Sequence, residues 1–296
     1  MDACGASMTG GDPIESHSFL RTLEYCRFLK KTFSDDFHIH LYTRGKEISQ
    51  KILSKLTPYV DEIRFHVINL EKDFTQVKLA LKFEVDVGIE VPVIPTKGIE
   101  YYRKLLAHFE SILPKNDQFN FLNLNELEVA ETNFRNLLAH NLTIKINNES
   151  AIEGSSSLGK EIVKWASKKS EVPVHFCPLV TKDSIQLPNR LIRIANNIQL
   201  PSDVVITDGP DRGLLIRGVI RSKSEDLEYI RHILTTKLQI PGNLIHIDQV
   251  RSQLLTNAAL LEEMKEMIRK LFPEITLGII EEYPTYDRLQ TTFIPL

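Results

Sequence analysis

Apolar and polar positions along the first half of the chain switch repeatedly between two periods. Runs of period two predict strands at 5–9, 37–43, 61–66, 85–91 and 119–124. Between them, period 3.6 predicts helices at 16–33, 47–56, 71–83, 98–113 and 126–139. The helix at 98–113 is the clearest, with Tyr101, Leu105, Leu106, Phe109 and Leu113 on one face. Tyr101 and Tyr102 read as structural on this pattern, as does the single tryptophan, Trp165. Strands and helices that alternate with short connections imply right-handed crossovers and a parallel sheet.

The pattern breaks at 141–158, where Asn147-Asn148-Glu149-Ser150 and Gly154-Ser155-Ser156-Ser157 are rich in turn residues. A helix at 159–169, a strand at 172–177 and a helix at 187–198 follow. Beyond residue 201 the order changes. Segments 204–207 and 214–220 flank Asp208-Gly-Pro-Asp-Arg-Gly213, a hairpin signal. A helix at 225–238, a strand at 244–247, a helix at 254–272 and strands at 276–281 and 291–294 complete it. The expected organisation is a (β/α) domain over 1–200 and a small α/β domain over 201–296.

Composition excludes several classes. The net charge is -3, so no bulk attraction to nucleic acid or membrane is expected. No apolar run approaches the ~18–20 residues of a membrane span, and residues 1–4 lack the features of a signal peptide. A cytoplasmic protein is the expectation. Cys4, Cys26 and Cys177 are widely spaced, and no C-x-x-C occurs. Cys26 sits beside Leu23 and Leu29 in a helical pattern, where cysteine serves as a small core hydrophobe.

The candidate chemistry lies where strands end. In a parallel sheet, ligands meet the carboxyl ends of the strands. Here those ends read Thr9-Gly10-Gly11-Asp12, His40-Leu-Tyr42-Thr43, Arg64-Phe-His66, Glu90-Val-Pro92 and Asn123-Leu-Asn125-Glu126-Leu-Glu128. Five polar ends in register predict one polar mouth. Gly10, Gly11 and Asp12 offer backbone N–H groups and a carboxylate to a charged small molecule; the same residues also suit a tight βα turn. His38 and His40 share a strand face and suit a metal, although no third ligand lies nearby. Arg64, on a face with His66, suits a carboxylate ligand or an internal salt bridge. Asn123, Asn125, Glu126 and Glu128 form a substrate-facing cluster, or else Asn125 caps the next helix and the glutamates are solvated.

Five segments in order, Thr9–Pro13, Phe37–Thr43, Asp61–His66, Val87–Pro92 and Phe121–Glu128, carry a resemblance. So do Val174-His-Phe-Cys177 and Glu282-Tyr-Pro-Thr-Tyr-Asp-Arg288. Together they resemble an archaeal-type group of radical S-adenosylmethionine proteins related to pyruvate formate-lyase activating enzymes. The resemblance spans nearly the whole chain. It implies a partial (β/α) barrel and assigns S-adenosylmethionine to Gly10, Gly11 and Asp12. Thr43, Arg64, His66 and Glu90 follow by position, with a small-molecule or protein substrate that the sequence does not identify. Aspartate at 12 departs from the family's commoner glutamate. A larger departure is that C-x-x-x-C-x-x-C, whose thiolates hold the family's [4Fe–4S] cluster, does not occur. The expectation is therefore a barrel missing its first βα unit, through truncation, a misplaced start or a separate cluster-bearing polypeptide. Reductive cleavage is not expected of this chain by itself. Two rival functions stand beside it: a non-catalytic barrel scaffold, and a hydrolase or lyase using Asp12, His66 and Glu126.

Overall fold

The computed structural model describes residues 3–69, 72–115, 118–146 and 148–296. They divide along the chain, between Thr181 and Lys182, into two compact units. The helix at 187–198 thus belongs with the second unit, ahead of the expected boundary at 200.

In the first unit the elements run β1 (Gly5–Met8), α1 (Phe19–Phe33), β2 (His38–Thr43), α2 (Gln50–Leu56), β3 (Glu62–Phe65), α3 (Asp73–Ala80), β4 (Asp86–Val93), α4 (Gly98–Glu110) and β5 (Asn120–Glu126). Then come α5 (Phe134–Ala139), a hairpin of β6 (Ile144–Lys145) and β7 (Asn148–Ile152), α6 (Ser155–Lys169), β8 (Val174–Cys177) and a short turn, α7 (Leu179–Thr181). Strands β1-β2-β3-β4-β5-β8 form one parallel sheet in sequential order. A right-handed crossover at every step of such an order carries each helix to the same face. The core shows this. Ile39, Leu41, Ile63, Phe65, Val87, Ile89, Leu122 and Leu124 pack in one cluster with Leu23 and Cys26 of α1, Leu53 of α2, Val77 of α3, Phe109 of α4 and Ile162 of α6. Period two then sends His38, His40, Tyr42, Glu62, Arg64, Glu90, Asn123 and Asn125 to the opposite face.

Three expectations for this unit need correction. The segment 126–139 is helical only from Phe134 to Ala139; β5 runs on to Glu126, and Glu128 bridges Ala151 as extended chain. The turn-rich stretch 141–158 holds the β6–β7 hairpin and the first turn of α6. The expected helix at 71–83 starts on a residue outside the described ones, and α3 spans Asp73–Ala80.

The second unit contains α8 (Leu187–Ile198), β9 (Val204–Val205), β10 (Leu215–Arg221), α9 (Leu227–Thr236), β11 (His246–Asp248), β12 (Gln253–Thr256), α10 (Ala258–Leu271), β13 (Thr276–Glu282) and β14 (Gln290–Pro295). Its sheet is antiparallel, in the order β11-β12-β10-β13-β14, with β9 also on β10. The expected helix at 254–272 hid a strand. Gln253-Leu-Leu-Thr256 pairs with β10, and the Asn257 side chain then accepts the Leu260 N–H at 3.1 Å, capping α10. Ile230, Leu234, Leu261 and Ile268 of α9 and α10 bury Ile220, Leu254 and Leu277 of the sheet. Elsewhere in this unit three arginines and three carboxylates interlock. Arg217 binds Asp203 and Glu282, Arg251 binds Glu282 at 2.9 Å, and Arg288 binds Glu282 and Asp248 at 2.9 Å each. Glu282 is wholly buried, so its charge depends on these cations.

Candidate functional site

The exposed face of the parallel sheet is built in rows, because parallel register sets one residue of each strand level with the next. One row reads Tyr42, Arg64, Gly88, Phe121. Gly88 leaves a gap, and the Phe121 ring lies across it. A Cβ added there would stand 2.3 Å from Cζ of that ring. The Arg64 guanidinium carbon lies 5.3 Å from the Tyr42 ring centroid and 5.4 Å from that of Phe121. This row makes a floor of two aromatic rings with a cation between them.

One level toward the carboxyl ends, Glu90, Asn123 and His175 are in register, followed by Pro92, Asn125 and Cys177. Glu90 is the hub. Its carboxylate accepts hydrogen bonds from Arg64 Nη1 at 3.2 Å, Asn123 Nδ2 at 3.2 Å and Asn125 Nδ2 at 2.9 Å. Arg64 also donates to Glu62 and, at 2.8 Å, to the Tyr42 hydroxyl. Burial works against its charge, but Glu62, Tyr42 and Glu90 outweigh that and raise its pKa. His40 meets the edge of Tyr42, and burial followed by the Arg64 cation lowers its pKa below 6.5. His66 is likewise lowered, burial being the larger cause.

The turn after β1 is tied to β2 by Asp12. The Asp12 carboxylate accepts from Thr43 Oγ1 at 2.8 Å, from Arg44 N–H at 2.9 Å and from Ile14 N–H at 3.3 Å. The Thr43 hydroxyl in turn accepts the Gly45 N–H at 2.8 Å. Both side chains thus brace the turn. What the turn leaves open is backbone. Gly10 and Gly11 have φ of 89° and 73°, and nothing lies within 4 Å of where either Cβ would stand.

The structure therefore brings Arg64, Glu90, Asn123 and Asn125 into one hydrogen-bonded group, and links Asp12 to Thr43. Asn125 bonds Glu90 and caps no helix. Glu126 stands apart: it is buried and its Oε2 accepts the Leu179 N–H at 2.8 Å. Glu128 is exposed on extended chain, not on the first turn of a helix. His38 faces Glu62 at 3.4 Å, and among the described residues no three His, Cys, Asp or Glu side chains gather as a metal site. Tyr42 joins the group as one of the expected polar strand ends, and Glu62, Gly88 and Phe121 belong to it although they carried no expectation. The signal was present: period two extends His38 and His40 to Tyr42, and a glycine inside a strand marks a close approach.

The cysteines do not suit an iron–sulfur cluster. Cys4 is exposed ahead of β1, Cys26 is buried in α1 with its thiol pushed up to about 11 by burial, and Cys177 ends β8. The backbone of Gly10 and Gly11 and the polar row above the floor, by contrast, suit a zwitterionic ligand carrying hydroxyl groups.

A parallel sheet with sequential strands, helices on one face and a polar row at its carboxyl ends defines a class of ligand-binding α/β proteins. Sequence comparison narrows it. The chain is 34% identical to a protein of Methanocaldococcus jannaschii provisionally named a glycyl-radical enzyme activating enzyme, over 99% of this chain and 76% of that protein. This chain belongs to the radical S-adenosylmethionine family, in the group related to pyruvate formate-lyase activating enzymes. Residues 213–296 match a family described as a domain of unknown function, DUF8061. A crystal structure of a domain of pyruvate-formate lyase-activating enzyme from Bacteroides vulgatus aligns with 58% of this chain and 98% of its own, at 11% identity and a TM-score of 0.37. At that level it bears on neither fold nor function. Among the described residues no helix is long and apolar enough to cross a membrane.

Proposed function

We propose that the first unit is the S-adenosylmethionine-binding part of a radical enzyme, arranged as a partial (β/α) barrel. The observation that carries this is the open backbone at Gly10 and Gly11, fixed by Asp12 to the end of β2 beside the Glu90 group. In this reading the turn's backbone holds the methionine end of the cofactor. Thr43 and Asp12 keep that turn in place. Arg64 holds the Glu90 carboxylate by charge, and Asn123 and Asn125 fix both of its oxygens, so it is ready to accept hydroxyl protons without rearranging. His66, whose pKa burial lowers below 6.5, adds no positive charge just past the end of β3. Bound S-adenosylmethionine would supply a carbon-centred radical on reductive cleavage.

The cluster that drives such cleavage in the family has no ligand set among Cys4, Cys26 and Cys177. A separate cluster-bearing polypeptide, or further chain, is the partner this proposal requires. The M. jannaschii relative's name points to a glycyl-radical enzyme as the protein acted on, and we carry that class of substrate over as part of the proposal. The hydrolase reading gains no support, because Glu126 is committed to Leu179 and Asp12 to β2.

Calorimetric titration with S-adenosylmethionine tests the proposal. Saturable binding is expected, weakened at least about tenfold in Gly11→Val, whose β-branched side chain occupies the open space and opposes positive φ. No heat of binding with the parent chain at about 1 mM ligand, in a protein whose circular dichroism shows it folded, would count against the cofactor assignment.

A further inference from the structure

The interlock around Glu282 sets three arginines against three carboxylates and is neutral as a group. A fourth arginine is joined to it and stays uncompensated. Arg221, partly exposed, is the last residue of β10. Its Nε donates to Gln253 Oε1 at 2.8 Å, and its Nη2 donates to Gln290 Oε1 at 3.2 Å. Gln253 is wholly buried, and its Nε2 donates to Asp248 at 3.2 Å. A carboxylate on one side and a guanidinium on the other allow the Gln253 amide one orientation, with its carbonyl toward Arg221. Phe293 supplies a third support. Its ring centroid lies 5.1 Å from the guanidinium carbon. That ring in turn lies across Gly278, where an added Cβ would stand 2.4 Å from Cε2.

Every one of these supports is neutral. A glutamate at 253 or 290 would pair with Arg221 as Glu282 pairs with its own arginines, yet the sequence has glutamine at both positions. Among the described residues no carboxylate lies within 4 Å of the Arg221 guanidinium. The connected set, Arg221 included, therefore carries four positive charges against three negative ones. Water satisfies the hydrogens of a guanidinium but leaves its charge in place. A cation fixed on three sides and left without a counter-charge is the working part of an anion receptor.

We infer that Arg221 anchors an anion site in the second unit, for a singly charged oxyanion such as the carboxylate or phosphodiester group of a small molecule. The planar guanidinium matches a pair of oxygens in either group. The excess of one positive charge selects a monoanion, because a dianion would leave the set negative beside its own carboxylates. The site lies wholly within residues 182–296, does not depend on the cofactor assignment, and is tested without S-adenosylmethionine.

The test uses acetate and dimethyl phosphate as probes on the full chain. Their methyl-proton relaxation is followed by NMR, with chloride holding the ionic strength constant. Saturable binding of at least one probe is expected, with a midpoint of about 10–50 mM, and the tighter probe identifies the group the site takes. Arg221→Gln should weaken that binding at least about fivefold. Gln290→Glu, which leaves Arg221 in place and supplies the counter-charge, should weaken it as much. Both positions are partly exposed, and circular dichroism verifies that each variant is folded. Parent-like binding in either folded variant, or no chain-dependent relaxation of either probe, would overturn the inference.

Discussion

Replacing Gly88 by alanine tests whether the aromatic floor is held by the missing side chain. The added Cβ would stand 2.3, 2.4 and 2.9 Å from three atoms of the Phe121 ring. Carbon atoms rest at about 3.5–4.0 Å, so the ring must retreat by about 1.2 Å or more. It has little room to do so. Phe119 stacks on it, the Arg64 guanidinium lies beside it, and the residue is only 6% exposed. Overpacking of this kind costs about 1–3 kcal/mol, and loss of a partly buried cation–aromatic contact adds about 0.5–2 kcal/mol. Gly88→Ala should therefore destabilise the first unit by about 2–4 kcal/mol. Urea unfolding followed by Trp165 fluorescence measures it cleanly, because this is the chain's only tryptophan and it packs against the first unit's core. Adding Phe121→Leu, which vacates the clash, should restore at least about 1 kcal/mol. The reasoning fails if Gly88→Ala shifts stability by less than about 0.5 kcal/mol, or if the double variant is no more stable than the single one.

Other expectations follow from the same contacts. Asp12→Ala removes the acceptor for Thr43, Arg44 and Ile14, and should cost about 2 kcal/mol in the same urea assay; an unchanged midpoint would show that the turn holds itself. Glu282→Gln leaves Arg217, Arg251 and Arg288 short of a buried anion, and should destabilise the second unit by about 3–5 kcal/mol. Amide hydrogen exchange of β13 and β10 reads that change, and protection equal to the parent's would refute it. The lowered pKa of His40 means the unfolded chain takes up a proton more readily than the folded one. Its contribution to stability is therefore present above the unfolded value of 6.5 and is lost as pH falls through the window below it. His40→Phe should flatten the urea midpoint between pH 7 and pH 5.5 relative to the parent, and an identical slope would exclude His40 as the source.

Much of the first unit was legible because one face of its sheet is apolar and the other polar. Leu122 and Leu124 against Asn123 and Asn125 marked both the strand and its facing at once. Glu126 and Glu128 were misplaced for a related reason. Their acidic and apolar alternation also fits a helix start, and only pairing decides it: β4 holds Glu126 through Val93, and Ala151 holds Glu128. The strand at Gln253–Thr256 was hidden by a leucine pair that joins smoothly to the helix behind it. Most of all, pairwise roles escaped the sequence. Asp12 and Arg64 stand out as charged residues at strand ends, but that Thr43 and Arg44 occupy Asp12, or that Gly88 exists for the sake of Phe121, depends on strands 30 or so residues apart coming into register.

The interlock around Glu282 has a consequence for how the second unit can change over generations. Its three arginines and three carboxylates cancel in charge, and each is held by at least one of the others. A single replacement strands an opposite charge inside the fold, so the path of lowest cost to a different set runs through paired or concerted changes. Drift at positions 203, 217, 248, 251, 282 and 288 should therefore be correlated, with an aliphatic group replacing an arginine only in lineages that have also neutralised its carboxylate. A collection of homologous sequences in which these six positions vary independently would show that the interlock constrains inheritance far less than its burial suggests.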